Sequence, residues 1–387
     1  MKSSLSPGKR IKLLLQKINM NILTLNPTTN KFKFSLIDIP SKDIHLHGEF
    51  IDSITPEIIS ENLQSVFYKV CNFLNNKNHQ RLDVIVVRAI YGGDEFTEPT
   101  IVNPYTINKL TKLMPAAPIH TPALITTIQK CANLWPDTPV VLAFETSFFA
   151  DLPAREKFYA IDTQITHFTF ARRQGYHGLT HETALNYVTH KHQLWDKSKN
   201  NGNVISFYLG PKPELVAIMN HKPIMVTSGA TPLEGLPGYT TAGEIDPSLV
   251  IKLASKPDWG IEKVNQILTQ ESGLKALAET KLTIAEIFSK KNKKVEFAKK
   301  YFLYKTLQAI GSAAACLGSI DVIVFSGEES NIGSAILENL KPRPTFLKTN
   351  SMKKPKVEFF NESIDQVLAE IGVTTLLKSR STLRRPA

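Results

Sequence analysis

Three short runs constrain the fold more than any other feature: "LDVIVVRAI" (82–90), "TPVVLAFET" (138–146) and "IDVIVFSG" (320–327). Each is almost unbroken in Val, Ile, Leu and Phe, with no polar alternation. A strand that is apolar on both sides needs cover on both faces, and an α/β layering supplies it. Helical periods alternate with these and the other strands. "ITPEIISENLQSVFYKVCNFL" has a proline near its start, and "TPALITTIQKCANLW" follows the first run. At the head of the fold, "NILTLN", the turn "NPTTN" and the alternating "KFKFSLIDI" read as a β-hairpin. The second half repeats the logic. "NVISFYL", "LVAIMN" and "KPIMVTS" read as a strand meander, and residues 282–318 read as mostly helix. In that helix Val295, Ala298, Phe302 and Ala309 form the apolar side beside a solvated lysine face. Two halves that each open on a meander and continue as α/β predict duplicated domains facing a cleft.

The chain has 387 residues, enough for two domains. Its net charge of +11 is concentrated at the ends: +5 in residues 1–19 and +4 in residues 376–387, leaving about +2 for the body. A nucleic-acid surface is a basic stripe on the folded body, so no nucleic-acid partner is expected. Cys71, Cys131 and Cys316 have no paired spacing, which speaks against a disulfide framework or a zinc site and fits a reducing compartment. No apolar run approaches the ~18 residues of a membrane span. Residues 1–19 are read as a basic extension ahead of a domain that begins at Met20.

Ligands of α/β sheets bind outside the carboxyl ends of strands, so those ends are where chemistry is sought. Arg88 closes a buried strand ahead of Gly92-Gly93. Its planar fork suits a carboxylate or phosphate, and the alternative is a buried ion pair. Glu145 closes another strand and can hold Mg²⁺ or pair with Arg88. In "FARRQGYHGLTH" the glycines around Tyr176-His177 suggest a tight turn presenting an imidazole. His177 and His181 are four apart but lack a third metal-ligand motif. His120 sits between prolines before a helix. Each lone histidine reads equally well as a structural residue. "NPTTNK" groups Asn26, Thr28, Thr29 and Lys31 as a candidate phosphate cradle. From Pro223 to Ile251 there is no Lys, Arg or His, and the stretch reads as a shaped polar loop.

Taken in order, these pieces resemble the acetate kinase family, which includes propionate and butyrate kinases, over about residues 20 to 372. The resemblance is carried by "MNILTLNPTTNKFKFSLID", "VVRAIYGGDEFTEPTIV", "APIHTPALI", "VVLAFETSFFADLP", "RRQGYHGLTH", "TPLEGL", "GEIDPSLV" and "IDVIVFSG". It implies the two-domain actin-like ATPase fold with a central cleft. The domains would be 20–147, with 363–387 returning to it, and 148–362. It implies phosphoryl transfer from ATP to a short carboxylate, with Mg²⁺, in a cytoplasmic homodimer. By resemblance Asn26 serves the phosphates and metal. Arg88 serves the substrate carboxylate and the transferring phosphoryl, which His177 also contacts. His120 is a second cleft histidine, Tyr176 replaces a family phenylalanine, and Ile90 lines the acyl pocket. Glu362 matches a metal-linked glutamate. Thr29 and Lys31 fall in the first phosphate turn, Gly210 and Lys212 in the second, and Gly327 in the adenosine segment.

The departures from the family are specific. Thr241 stands where the family has its second catalytic arginine, and Glu145 where it has an aspartate. The phosphate turn "LGNGSS" reads "LGPKPE", and the adenosine segment shortens to "SGEES" (326–330). Pro211 removes a backbone donor. Lys31 and Lys212 are new cations in turns that face phosphate in the family, and are expected to replace part of the missing charge. These departures leave a second reading: a family member that binds or regulates without turnover.

Overall fold

The computed structural model describes residues 19–28, 31–50, 56–77, 81–117, 120–166, 171–194, 202–340 and 354–382. Residues 1–18, the bulk of the basic extension, lie outside the described residues. The chain divides into two compact units, Met1–Ser147 with Ser363–Ala387, and Phe148–Glu362. Each is an α/β body built on one sheet.

The sheet of the first unit holds β1 (Met20–Thr28), β2 (Lys31–Ile39), β3 (Ile44–Phe50), β4 (Val84–Ala89), β5 (Thr100–Ile101) and β6 (Val140–Phe144), in the order β3-β2-β1-β4-β6-β5. β1 to β3 form an antiparallel meander, and β4 and β6 run parallel to β1. Both faces of β4 are covered, as its composition predicts. Ile85 and Val87 join a core with Ile59, Leu63 and Val66 of the helix Pro56–Asn76 and with Leu124 and Ile128 of the helix His120–Leu134. The opposite face receives the helix Ile364–Thr382, from the far end of the chain. There a Cβ on Gly372 would sit 2.3 Å from a Val86 methyl, so the helix and β4 approach as closely as a glycine allows. β1 runs further than the sequence suggested. Asn26, Pro27 and Thr28 pair with Lys33, Phe32 and Lys31. The turn expected at 26–30 is therefore largely strand, because the ladder satisfies backbone groups almost to its tip. Thr29 lies outside the described residues.

The second sheet holds β7 (Val204–Tyr208), β8 (Glu214–Met219), β9 (Lys222–Val226), β10 (Val322–Ser326) and β11 (Lys356–Phe360), in the order β11-β10-β7-β8-β9. β7 to β9 form an antiparallel meander, and β10 and β11 run parallel to β7. This repeats β3-β2-β1-β4-β6 in order and sense, so the two halves share one topology without visible sequence repetition. The helix Lys293–Leu317 buries Val295, Ala298, Phe302 and Ala309, as their spacing requires, and Asn292 caps its start. Within the cation-free stretch, 223–226 belong to β9. Residues 247–251 open the helix Pro247–Ala254, capped by Asp246 accepting from Ser248 N. The irregular loop lies between them.

Candidate functional site

The first unit gathers Asn26, Arg88 and Glu145 at the carboxyl ends of β1, β4 and β6, three neighbouring strands running the same way. Parallel register does this. Leu25 pairs with Val87, so Asn26 and Arg88 follow side by side, and Arg88 pairs with Ala143, which puts Glu145 two residues further along, on the same face as Arg88. Glu145 is fully buried and its backbone N–H is held by Ala89 O at 2.9 Å. Arg88 Nε donates to Glu145 Oε1, and Arg88 Nη1 donates to Asn26 Oδ1 at 3.1 Å. Of the two roles open to Glu145, pairing with Arg88 is the one the structure shows. The pair splints the guanidinium, and N–H groups of its fork remain for an anionic ligand. His120 opens the helix His120–Leu134. Burial first, and the Arg88 charge second, lower its pKa, so its imidazole is held neutral. Ile90 follows β4 and is half-buried.

The second unit centres on a residue that sequence reasoning passed over. Glu214 opens β8 and is fully buried. Its carboxylate accepts from Tyr176 N at 3.0 Å and His177 N at 3.1 Å, at the entry to the helix Gly178–His192. Its Oε1 also lies 3.6 Å from His177 Nδ1 and 3.3 Å from His181 Nε2, distances of ion-pair contacts rather than short hydrogen bonds. Burial alone would raise the Glu214 pKa. The two imidazoles outweigh it and hold the carboxyl far below its ordinary range. His181 is buried with Nδ1 2.7 Å from Ser206 Oγ on β7. The His177 ring stacks on Tyr208 with centroids 3.9 Å apart. Tyr176 is buried and its hydroxyl donates to Ala230 O. The tight turn expected around Tyr176-His177 is thus pinned from three sides. The sequence signal was an acid at the inner end of "LGPKPE", legible only as a departure from the family's turn.

Lys212 is placed differently from the expectation. Its Nζ donates to Leu236 O at 2.7 Å and Leu233 O at 3.3 Å, so the amine ties down the irregular loop. Burial pushes its pKa down to about 8, against the pull of Glu214 and Glu234. A phosphate role for this cation would compete with those carbonyls. Lys31 lies in β2 at the tip of the hairpin. Thr241 Oγ1 is buried and has no hydrogen-bond partner among the described residues.

Gly210 and Gly327 follow β7 and β10 at adjacent carboxyl ends, where Leu209 N donates to Ser326 O at 2.8 Å. Gly327 has a φ of +89°, and a Cβ there would meet Leu209 O at 2.4 Å. In the shortened segment, Glu329 is buried and accepts from Ala285 N at 2.8 Å, Ile284 N at 3.1 Å and the Tyr239 hydroxyl. It therefore satisfies the start of the helix Ile284–Ser289 and fixes the loop at Tyr239. Glu362 ends the second unit. Among the described residues no group of three or more His, Cys, Asp or Glu side chains could hold a metal ion by itself, and no helix is long and apolar enough to cross a membrane. Asn26 and Glu145 present amide and carboxylate oxygens, the hard donors that suit a divalent cation shared with phosphates.

Comparison with known proteins places this chain in a family. The model of the acetokinase family matches residues 21–341. The acetate kinase of Sulfurimonas denitrificans is 29% identical over 381 residues, covering 90% of this chain and 97% of that protein. The acetate kinase of Thermoanaerobacterium thermosaccharolyticum is 28% identical over 326 residues, 83% of this chain and 76% of that protein. Among solved structures, the acetate kinase of Porphyromonas gingivalis superposes with a TM-score of 0.80 at 22% identity, covering 92% of this chain and all of that one. That likeness, together with the repeated sheet topology, identifies the architecture as the two-domain actin-like ATPase fold. With more than three quarters of its length matched by the family model, this chain belongs to the acetokinase family.

Proposed function

We propose that this protein is a carboxylate kinase that transfers the γ-phosphoryl group of ATP to acetate or another short-chain carboxylate, giving ADP and an acyl phosphate. The observation that carries this reading is the Asn26–Arg88–Glu145 cluster at the carboxyl ends of parallel strands in a chain of this family. Phosphoryl transfer asks little covalent chemistry of a protein. It needs reactants held in line and developing charge neutralised. Arg88, splinted by Glu145 and Asn26, supplies a fixed fork for the carboxylate and the migrating phosphoryl group. His177 supplies an imidazole donor to the same group. His120, held neutral, offers a hydrogen bond without adding charge, and Ile90 and Tyr176 shape the acyl side. Asn26 and Glu145, with Glu362, are the groups that would hold Mg²⁺, which when bound neutralises charge on the ATP phosphates. Thr29, Lys31 and Gly210 would meet the phosphates and Gly327 the nucleotide. In this reading Thr241 leaves one cation fewer at the transition state than the family's arginine gives, and turnover is correspondingly slow. A cytoplasmic homodimer completes the reading.

The test is acyl phosphate formation by the full chain with ATP, Mg²⁺ and acetate, propionate or butyrate, trapped as the hydroxamate. Hydroxamate that requires ATP, metal and carboxylate, and is lost in Arg88→Ala, is the expected result. No hydroxamate with any of the three acids, and no rise in melting temperature with MgATP, overturns the reading in favour of a non-catalytic binding protein.

A further inference from the structure

A histidine that donates to a phosphoryl group must have its ring aimed and its proton on the correct nitrogen. The position of Glu214 addresses this. We propose that Glu214 is a positioning residue for phosphoryl transfer: its buried carboxylate fixes the Tyr176-His177 turn and takes the Nδ1 side of His177, so that Nε2 is the nitrogen presented to the transferring phosphoryl group. The inference rests on the carboxylate kinase reading for its consequence in turnover, but not for its geometry.

A fully buried carboxylate is costly unless it is satisfied on several sides. Glu214 accepts from the backbone N–H groups of Tyr176 and His177, and the edges of two imidazoles face it at 3.6 Å (His177 Nδ1) and 3.3 Å (His181 Nε2). The second imidazole has a defined job of its own. His181 Nδ1 lies 2.7 Å from Ser206 Oγ, and in the tautomer in which that hydroxyl donates, the proton of His181 is on Nε2, the nitrogen that faces Glu214. The carboxylate therefore meets proton-bearing nitrogens on both rings when His177 carries its proton on Nδ1. A carboxylate on one ring nitrogen sets the tautomer and frees the other nitrogen for the ligand. The Tyr208 ring, stacked at 3.9 Å, fixes the plane of the His177 ring. Lys212, whose charge feels Glu214, is engaged with Leu233 O and Leu236 O. Glu214 stands at the last position of "LGPKPE", where the family turn ends in serine, so this support belongs to this chain's own sequence.

The experiment is ring ¹⁵N NMR of the full chain labelled at histidine, with His177 assigned through His177→Asn. In the wild type the neutral His177 ring is expected to carry its proton on Nδ1, and in Glu214→Gln to move it to Nε2. Glu214→Asp, which keeps the charge, is expected to retain the wild-type tautomer. In turnover assays Glu214→Gln is expected to lower kcat by about 10- to 100-fold, the range typical of a histidine that loses its carboxylate partner. KM for ATP and carboxylate should stay within about 3-fold, because only ground-state binding would move it. Glu214→Gln should add nothing in the His177→Asn background. A proton on His177 Nε2 in the wild type overturns the proposal outright, even if Glu214→Gln fails to fold. An unchanged His177 signal in Glu214→Gln, or the same loss of kcat in both backgrounds, reduces Glu214 to a structural anchor. A wild type that makes no acyl phosphate removes the kinase reading while the tautomer measurement still decides the geometry.

Discussion

Lys212 and Glu214 are two residues apart in one turn, and burial acts on them in opposite ways. Glu214 finds two N–H groups and two imidazoles, and its charge is stabilised. Lys212 finds two carbonyls, and burial still pulls its pKa down to about 8. The difference is one of compensation: the Glu214 carboxylate accepts from two backbone N–H groups and faces two imidazole edges, whereas carbonyl dipoles recover less of an ammonium's hydration. The consequence for Lys212 is measurable. Between about pH 8 and the ordinary 10.5, the unfolded chain keeps a proton on this amine that the folded chain sheds. Wild-type stability should therefore rise with pH across that window relative to Lys212→Met, in which the group cannot titrate. Below pH 8 the cost of burying the charge is present in full. Denaturant unfolding of both proteins at pH 7.5 and pH 10 checks this, and a constant difference between them would contradict the assignment.

At the scale of elements, both sheets deliver their candidate residues in the same way, by ending parallel strands side by side. In the first, Asn26, Arg88 and Glu145 lie at or just beyond the carboxyl ends of β1, β4 and β6. In the second, β7 and β10 end at Tyr208 and Ser326, and the chain turns at once through Gly210 and Gly327. The turn at Gly327 has no room for a side chain, and its φ of +89° disfavours one. Gly327→Ala should cost roughly 1–3 kcal/mol, the usual price of a forced positive φ, with added strain from Leu209 O. Thermal unfolding reads the loss. A melt matching the wild type would mean the β10 turn can rearrange freely. The Arg88–Glu145 pair, by contrast, forms at a rigid place, because both residues are set by the ladder between β4 and β6.

At the scale of the molecule, the end of the chain completes the unit that the beginning starts. In the helix Ile364–Thr382, Val367, Leu368, Ala369, Val373 and Leu376 are buried, and the helix covers β1 and β4. Asp365 Oδ1 accepts from Thr24 Oγ1 at 3.2 Å, joining residues 341 apart in sequence. Burial of each larger side chain is worth about 1.5–3 kcal/mol. Together they rival the total stability of a domain, roughly 5–15 kcal/mol. A chain ended after Glu362 is therefore expected to lose the folded state of the first unit, seen as lost near-UV circular dichroism and a non-cooperative melt. A native-like melt from that shortened chain would show that the helix is an accessory.

The sequence by itself determined the layered α/β architecture, the central strands and the long helices. Two-sided burial and helical periodicity are local averages, written into composition wherever a strand or helix lies. "LDVIVVRAI" could only be an inner strand, and the spacing of Val295, Ala298 and Phe302 could only be one buried helix face. Motif order also marked Asn26, Arg88, Glu145 and His177 as residues to watch. Only the tertiary structure decided what each of them touches. Whether Arg88 met a ligand or a carboxylate turned on the register of β4 against β6, 57 residues along the chain. Glu214 drew no reading from the sequence, because its partners, the Tyr176 and His177 N–H groups, lie 38 and 37 residues away and meet it only through the start of β8. Burial follows from the residue and its near neighbours, but charge pairing follows from which distant residues the sheet register sets face to face.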